Sequence, residues 1–248
     1  MREEKNWKNQ LIDIHNHILP GIDDGSKDLA TSLCMLRAAQ EEGIQKIILT
    51  PHFKPGHRNA SPDKIEELLA LLQDAAGKEN LYIRLYPGNE IFFREEVTKF
   101  LEKKQICTLA GTKYVLTEFM PGEEYSHMRN GIYQILAEGY QPVVAHVERY
   151  VNVCKEIKHV KELIEMGACI QVNAGSIMGN YGLKAKHFTR KLLANEWVHF
   201  VATDAHDMDK RPPRLRKCAE FVAGKYGTDY AKRLFTENPE TLLSGEYL

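Results

Sequence analysis

Two histidines, His15 and His17, stand two residues apart, directly after a short apolar run that predicts a strand. Alternate side chains of a strand point to the same face, so the two imidazoles would lie together at the strand's carboxyl end. Imidazole is the commonest side-chain ligand for zinc, manganese, iron and similar cations. A single His-x-His motif is as often two solvent-exposed histidines. The rest of the sequence has to decide whether this one binds a metal.

Side chains of the same chemical type follow nearly every other predicted strand. The candidate metal ligands at, or just beyond, the strand ends are His15, His17, Asp24, His52, Glu90, Glu118, His146, Asp204 and His206. Each one alone has a simpler explanation, such as a structural histidine or a carboxylate that caps a turn. Asp204 and His206 repeat the spacing of the first two histidines, and chance placement of the whole set is far less credible.

The donors in this set are nitrogen and oxygen, with no sulfur. They are too many for one tetrahedral zinc ion and suit two or three cations such as Mn, Fe or Zn, with carboxylates as bridges. Clusters of this kind generate hydroxide at neutral pH and stabilise a phosphoryl group during transfer. The sequence therefore predicts a metal centre suited to hydrolytic phosphoryl chemistry.

Apolar runs and helical periods alternate along the whole chain. The predicted strands lie near residues 11–14, 46–50, 81–86, 114–117, 142–145, 169–172 and 199–203. The predicted helices lie near residues 29–42, 61–77, 128–138, 157–166, 183–195, 213–226 and 228–236. This alternation predicts parallel βαβ units, and a single closed (β/α) barrel fits best, with a doubly wound open sheet as the alternative. We interpret residues 1–10 as an N-terminal extension and residues 11–248 as one domain.

Composition narrows the function classes. A net charge of −1 gives no indication of nucleic acid or an anionic membrane as a partner. No apolar run is long enough for a membrane span, and the polar N-terminus does not resemble a signal peptide. The five widely spaced cysteines predict buried free thiols in a reducing compartment, so we expect a cytoplasmic protein. No cysteine has an arginine six residues later, which excludes a Cys-x5-Arg phosphate loop.

Several motifs together resemble one family. They are residues 13–25 (DIHNHILPGIDDG), 50–52 (TPH), 88–90 (GNE), 146–150 (HVERY), 203–206 (TDAH) and 211–213 (RPP). The chain resembles the PHP (polymerase and histidinol phosphatase) superfamily, in the branch of bacterial manganese-dependent protein tyrosine phosphatases encoded with capsule and exopolysaccharide genes (CpsB/YwqE type). The first and fourth motifs are specific to that branch. Two features depart from the family: about ten extra N-terminal residues, and Phe53 where a second histidine often follows His52.

The resemblance implies a distorted (β/α)7 barrel of the PHP type, with a trinuclear centre, manganese being the expected metal. Its first metal would bind His15, His17, Glu90 and Asp204; its second would share Glu90 and bind Glu118 and His146; its third would bind Asp24, His52 and His206. Arg149 would bind the substrate phosphate, with Arg211 and Asp24 also assigned to catalysis. A metal-activated hydroxide would attack phosphotyrosine, which the family implies lies in the tyrosine-rich C-terminal tail of a capsule-type kinase.

Three alternatives stay open at this point. A related phosphoesterase acting on histidinol phosphate, a nucleotide or another small phosphate ester would have nearly the same metal site. An amidohydrolase also uses a His-x-His pair and a late aspartate, but it bridges its metals through a modified lysine, and no lysine stands at a matching strand end here. A non-enzymatic, metal-stabilised partner of a tyrosine kinase is disfavoured because every predicted ligand position is intact.

Overall fold

The computed structural model describes residues 7–248 and shows helices alternating with parallel strands. The strands are β1 (Leu11–Asp13), β2 (Ile44–Leu49), β3 (His52–Phe53), β4 (Arg84–Pro87), β5 (Glu90–Phe92), β6 (Tyr114–Glu118), β7 (Gln141–Val144), β8 (Cys169–Asn173) and β9 (Phe200–Ala202). The helices are α1 (Leu29–Glu41), α2 (Pro62–Lys78), α3 (Val97–Glu102), α4 (Tyr125–Ala137), α5 (Val151–Lys155), α6 (Lys158–Glu165), α7 (Ala174–Met178), α8 (Leu183–Ala194), α9 (Arg216–Tyr226), α10 (Thr228–Lys232) and α11 (Asn238–Ser244). A 3₁₀ turn, Val147–Arg149, precedes α5.

The sheet is parallel throughout and curls on itself. Strands β2 and β3, and likewise β4 and β5, are consecutive pieces of one strand position, so seven positions follow one another in chain order. Its first and last positions meet through two backbone hydrogen bonds, from Asp204 N–H to the His15 carbonyl (2.8 Å) and from His17 N–H to the Ala205 carbonyl (2.7 Å). The predicted distorted seven-stranded barrel is therefore confirmed, and an open doubly wound sheet is not what forms.

Alternation along the strands separates two apolar layers. In β6, Val115 packs in the large cluster that joins the sheet to the helices, whereas its neighbour Leu116 packs in a smaller cluster on the other face. The smaller cluster includes Leu242 of α11. Both faces of the strands are thus buried, as their continuous apolar runs require. This double packing fixes the strand ends from which the polar residues project.

Side-chain caps mark the start of the first two helices. The Asp28 carboxylate accepts the Thr31 N–H (2.8 Å) before α1, and the Ser61 hydroxyl accepts the Lys64 N–H (3.3 Å) before α2. Helices α3, α5 and α7 have six residues or fewer, too short for a visible apolar period, and sequence reasoning missed them. The strand predicted from residue 81 begins at Arg84, and the helix predicted from residue 213 begins at Arg216.

The N-terminal segment contributes to the core from Trp7 onward. Trp7 is 6% exposed and packs in the large apolar cluster. The rest of the predicted extension, residues 1–6, lies outside the described residues, and the boundary at residue 10 stays a prediction. Within residues 7–248, no helix combines the length and the apolar character needed to cross a bilayer.

Candidate metal centre

The predicted ligand residues converge at the carboxyl edge of the sheet. Eight of them form three overlapping groups whose ligand atoms lie within 4.8 Å of one another: His15, His17, Glu90 and Asp204; His17, Asp24, His52 and His206; and His52, Glu90 and Glu118. The ninth, His146, places its Nε2 2.7 Å from Glu90 Oε1 and 3.9 Å from Glu118 Oε2. The fold thus brings together side chains from strand positions that are far apart in sequence.

The first group is fully buried and very compact. The Nε2 atoms of His15 and His17 are 3.4 Å apart, and each is 3.2 Å from Glu90 Oε2. Asp204 Oδ1 lies 3.5 Å from the first imidazole and 3.6 Å from the second. This group has the composition that the family resemblance implies for one metal.

The other two groups share His52, which is only partly buried. Its Nδ1 is 3.0 Å from Glu90 Oε2 and 3.6 Å from Glu118 Oε1, while its Nε2 is 3.2 Å from Asp24 Oδ1. His206 Nε2 approaches the same Asp24 oxygen at 3.5 Å. In this arrangement His52 stands between two groups, whereas the resemblance assigns it to the third metal alone. Asp24 faces solvent, with its side chain 70% exposed.

Hydrogen bonds fix which imidazole nitrogens face the centre. Gln171 Oε1 accepts the His146 backbone N–H (2.8 Å), so this oxygen also faces His15 Nδ1 (3.1 Å) as an acceptor. His17 Nδ1 is 2.7 Å from the Asp23 carboxylate. Both histidines therefore carry their proton on Nδ1 when neutral and direct their Nε2 lone pairs to one point. Converging lone pairs beside carboxylates form a donor set that fits divalent cations.

The ionisable groups of the centre shift one another's pKa. Burial lowers the pKa of His17, but hydrogen bonds with Asp23 and Glu90 outweigh it and raise this pKa to about 9. Burial raises the pKa of Glu90, but the neighbouring imidazoles, led by His15, hold it well below its ordinary value. The carboxylates therefore draw positive charge onto the imidazoles. Protons and divalent cations compete for the same lone pairs in such a site.

Sequence reasoning missed a polar layer behind the ligands. Gln171 Nε2 donates to Asn173 Oδ1 (2.9 Å), and Asn173 Nδ2 donates to Asp204 Oδ2 (2.8 Å). Both residues lie in the buried strand β8, two positions apart, so they share a face. Polar residues at alternate positions of an otherwise apolar strand were the signal that could have revealed them.

A buried aspartate in β1 supports the last strand position. Asp13 accepts hydrogen bonds from the backbone N–H of Thr203 (3.0 Å) and from its hydroxyl (2.5 Å). Burial raises the pKa of Asp13 to about 6 against these hydrogen bonds. Asp204, which follows Thr203, has φ of 53°, a left-handed conformation that is uncommon for a non-glycine residue. The Asp13 contacts hold the strained turn that presents Asp204.

Two arginines flank the centre on one side. Arg149 Nη2 lies 2.6 Å from Asp204 Oδ2, and Arg211 Nη2 lies 2.5 Å from Asp204 Oδ1. Their side chains are 35% and 25% exposed, so both remain accessible from outside.

Phe53 stands where a second histidine often follows His52 in the family. It is 5% exposed and packs against Phe100 at a centroid distance of 5.4 Å, so this departure from the family pattern adds to the core.

Comparison with known proteins agrees with this geometry. Residues 11–244 match the model of the CpsB/CapC family, which is described as "Capsular polysaccharide synthesis, CpsB/CapC". Tyrosine-protein phosphatase YwqE of Bacillus subtilis (strain 168) is 36% identical over 236 residues, covering 95% of this chain and 92% of that protein. Tyrosine-protein phosphatase CpsB of Streptococcus pneumoniae is 33% identical over 243 residues, covering 96% of this chain and 100% of that protein.

A solved structure of two tyrosine phosphatases is similar to this chain. It is described as YwqE from Bacillus subtilis and CpsB from Streptococcus pneumoniae, "unique metal-dependent tyrosine phosphatases", and matches with a TM-score of 0.91 and 35% identity, covering 96% of both chains. The resemblance read from the motifs is thus confirmed. The chain belongs to the CpsB/CapC family of capsular polysaccharide synthesis proteins.

Proposed function

We propose that this protein is a metal-dependent protein tyrosine phosphatase. The observation that carries the proposal is the convergence of the buried histidine and carboxylate groups beside Arg149 and Arg211. Relatives named tyrosine-protein phosphatases, similar over nearly the whole chain, support the same activity. The proposed substrate is phosphotyrosine in the C-terminal tail of a capsule-type bacterial tyrosine kinase.

The proposed cation ligands are His15, His17, Asp24, His52, Glu90, Glu118, His146, Asp204 and His206. Manganese is the proposed metal, and iron or zinc would suit the same nitrogen and oxygen donors. Bound divalent cations would lower the pKa of water and offset the charge of the phosphate. Glu90 reaches more imidazoles than any other carboxylate of the centre within residues 7–248, so it is the proposed bridging ligand.

The arginines have a separate role in the proposal. A guanidinium can donate two parallel hydrogen bonds to phosphate oxygens, and Arg149 and Arg211 present two such groups around one carboxylate. Asp24 lies at the solvent side, where its carboxylate can accept a hydrogen bond from a water molecule and so orient it. The pKa of Asp24 is lowered, chiefly by the His52 hydrogen bond, so this carboxylate stays ionised.

The leaving group suits a site without a strong general acid. The phenol of tyrosine has a pKa near 10, so it needs less proton donation than the alcohol of a serine ester. A cysteine nucleophile has no support. Burial raises the pKa of the Cys107 thiol to about 11 and of the Cys154 and Cys169 thiols to about 12, which disfavours the thiolate.

The cytoplasm is the proposed compartment. All five cysteines are free thiols, which suits a reducing environment. Their burial differs from the expectation, because Cys34 is exposed and only Cys169 and Cys218 are buried.

An activity panel tests the proposal. Chelator-treated protein should hydrolyse no phosphate ester, and added Mn²⁺ should restore turnover of a phosphotyrosyl peptide far above turnover of histidinol phosphate. A strong preference for histidinol phosphate would instead support the alternative small-ester phosphatase. Activity that is equal with and without metal would refute the metal-dependent proposal altogether.

A further inference from the structure

A groove of about 820 Å³ opens beside the metal centre. It lies between the Val147–Arg149 turn, helix α5 and helix α8. Arg149 belongs both to this groove and, through its 2.6 Å contact with Asp204, to the candidate metal centre. A substrate whose phosphate reaches Arg149 would therefore have its neighbouring groups at the groove.

The groove has an apolar surface that the fold leaves open to solvent. Leu183 is 70% exposed and Val151 is 53% exposed, and Ile157 and Phe188 also line the cavity. Single exposed apolar residues are ordinary on protein surfaces. Here they line one concave region next to a reactive centre, and ligand sites commonly have this character.

Cationic side chains line the same groove. Lys155, Lys184 and Lys191 line the groove together with Arg149. Within residues 7–248, none of these lysines forms an ion pair with a carboxylate, whereas Lys64, Lys78 and Lys161 elsewhere on the surface do. Helix α8 begins at Leu183 without a side-chain cap, so the unpaired N–H groups of its first turn add positive potential at the same place.

The single carboxylate in the groove has one unused acceptor. Glu148 is 7% exposed, and its Oε1 accepts the Asn173 backbone N–H at 3.0 Å. Its Oε2 is buried without a hydrogen-bond donor. Because Oε2 is buried, it is not open to a bound chain. The exposed side chains of Lys155, Lys184 and Lys191 therefore set the charge that the groove presents to a ligand.

We propose that this groove binds the acidic peptide segment that flanks the phosphotyrosine of the substrate. The inference rests on the proposed phosphatase function and adds a preference that the metal centre cannot supply. The apolar surface contacts the peptide, and the lysines select Asp and Glu over neutral side chains. Complementary charge of this kind gives specificity and faster association more than it gives raw affinity.

Matched peptides and charge reversal test the proposal. One phosphotyrosyl peptide carries Asp and Glu on both sides, and its control carries Asn and Gln at the same positions. Lys184→Glu combined with Lys191→Glu should lower kcat/KM for the acidic peptide by about tenfold at low salt, with little change for the neutral peptide or for p-nitrophenyl phosphate. Both lysines are exposed, so the substitutions should not disturb folding.

The control variant reverses Lys99 and Lys217, which are exposed and do not line the groove. An equal loss in this variant would assign the effect to overall charge and overturn the proposal. So would unchanged kinetics for the acidic peptide, or equal losses for the acidic and neutral peptides, in the groove variant. Leu183→Ser should weaken both peptides and spare p-nitrophenyl phosphate.

A binding measurement separates this inference from the phosphatase assignment. Fluorescence anisotropy with labelled peptides that carry a non-hydrolysable phosphonate needs no turnover. Wild-type protein should bind the acidic peptide more tightly than the neutral one, and the groove variant should lose that difference. If the Mn-loaded protein hydrolysed neither peptide, the proposed function would fail, and the anisotropy comparison would still decide whether the groove selects acidic segments.

Discussion

Arg149→Ala should reduce hydrolysis while leaving the fold and the cation ligands in place. The only ion pair of Arg149 within residues 7–248 is with Asp204, whose carboxylate keeps contacts with Arg211 and Asn173 after the substitution. The buried Asp204 carboxylate is therefore not left without a partner. The variant should unfold at nearly the wild-type temperature and retain wild-type metal content.

The magnitude follows from the hydrogen bonds that the guanidinium would make to phosphate. A hydrogen bond to a charged group contributes about 1.5–3 kcal/mol. At about 1.4 kcal/mol per factor of ten, its loss corresponds to roughly a 10- to 150-fold fall in kcat/KM. Arg149→Lys keeps the charge but not the fork of two donors, so it should restore only part of the rate.

The assay compares a phosphotyrosyl peptide with p-nitrophenyl phosphate in Mn-loaded protein. Because Arg149 is proposed to bind the phosphate itself, both substrates should lose rate to a similar degree. Arg214→Ala is the matched control, since Arg214 is exposed, lies near Arg211 in sequence and forms no ion pair within residues 7–248. Unchanged kinetics in metal-replete Arg149→Ala would remove this residue from the site.

Three further changes have distinct expected results. Asp23→Asn removes the carboxylate that lies 2.7 Å from His17 Nδ1 and orients this imidazole. Metal binding, measured by chelator competition, should weaken about 10- to 100-fold, and activity should return at high Mn²⁺. Unchanged metal affinity would count against this role of Asp23. His199 Nδ1 accepts the Ile170 N–H (3.1 Å), and burial holds the pKa of His199 at about 4, below its ordinary 6.5. Between pH 6.5 and 4 the unfolded chain therefore binds more protons than the folded protein does. The free energy of unfolding should fall by about 2–3 kcal/mol as the pH drops through this range. His199→Asn, followed by urea titration at both pH values, should lose that part of the pH dependence, and an undiminished slope would contradict the assignment. Serine at the three less buried cysteines, Cys34, Cys107 and Cys154, should leave kcat/KM unchanged, whereas a large loss in folded, metal-replete protein would reopen a thiol mechanism.

The sequence predicted the strand positions well because each one is an apolar run, and all but β8 are followed by a metal-ligating residue. Parallel strands align their carboxyl ends, so a ligand such as His52 or Asp204 could be placed at one edge without coordinates. Helices α1 and α2 were predictable from their periods and from the capping residues Asp28 and Ser61.

Contacts across long sequence distances could not be read in the same way. The Asp13–Thr203 hydrogen bonds span 190 residues, and the position of Gln171 between His15 and His146 depends on the curl of the sheet. The distribution of cations among ligands is another example, since the geometry places His52 between two groups. Side-chain packing between distant segments determines these contacts, and local sequence patterns do not predict it.

Metal titration of the stripped protein tests the central claim most directly. Metal-free protein, verified by mass spectrometry of its metal content, receives Mn²⁺ in small steps while hydrolysis of a phosphotyrosyl peptide is followed. The account predicts no turnover at the start and a rise to a plateau near about two or three equivalents, as nitrogen and oxygen clusters of this size bind. Full turnover before any metal is added would contradict it.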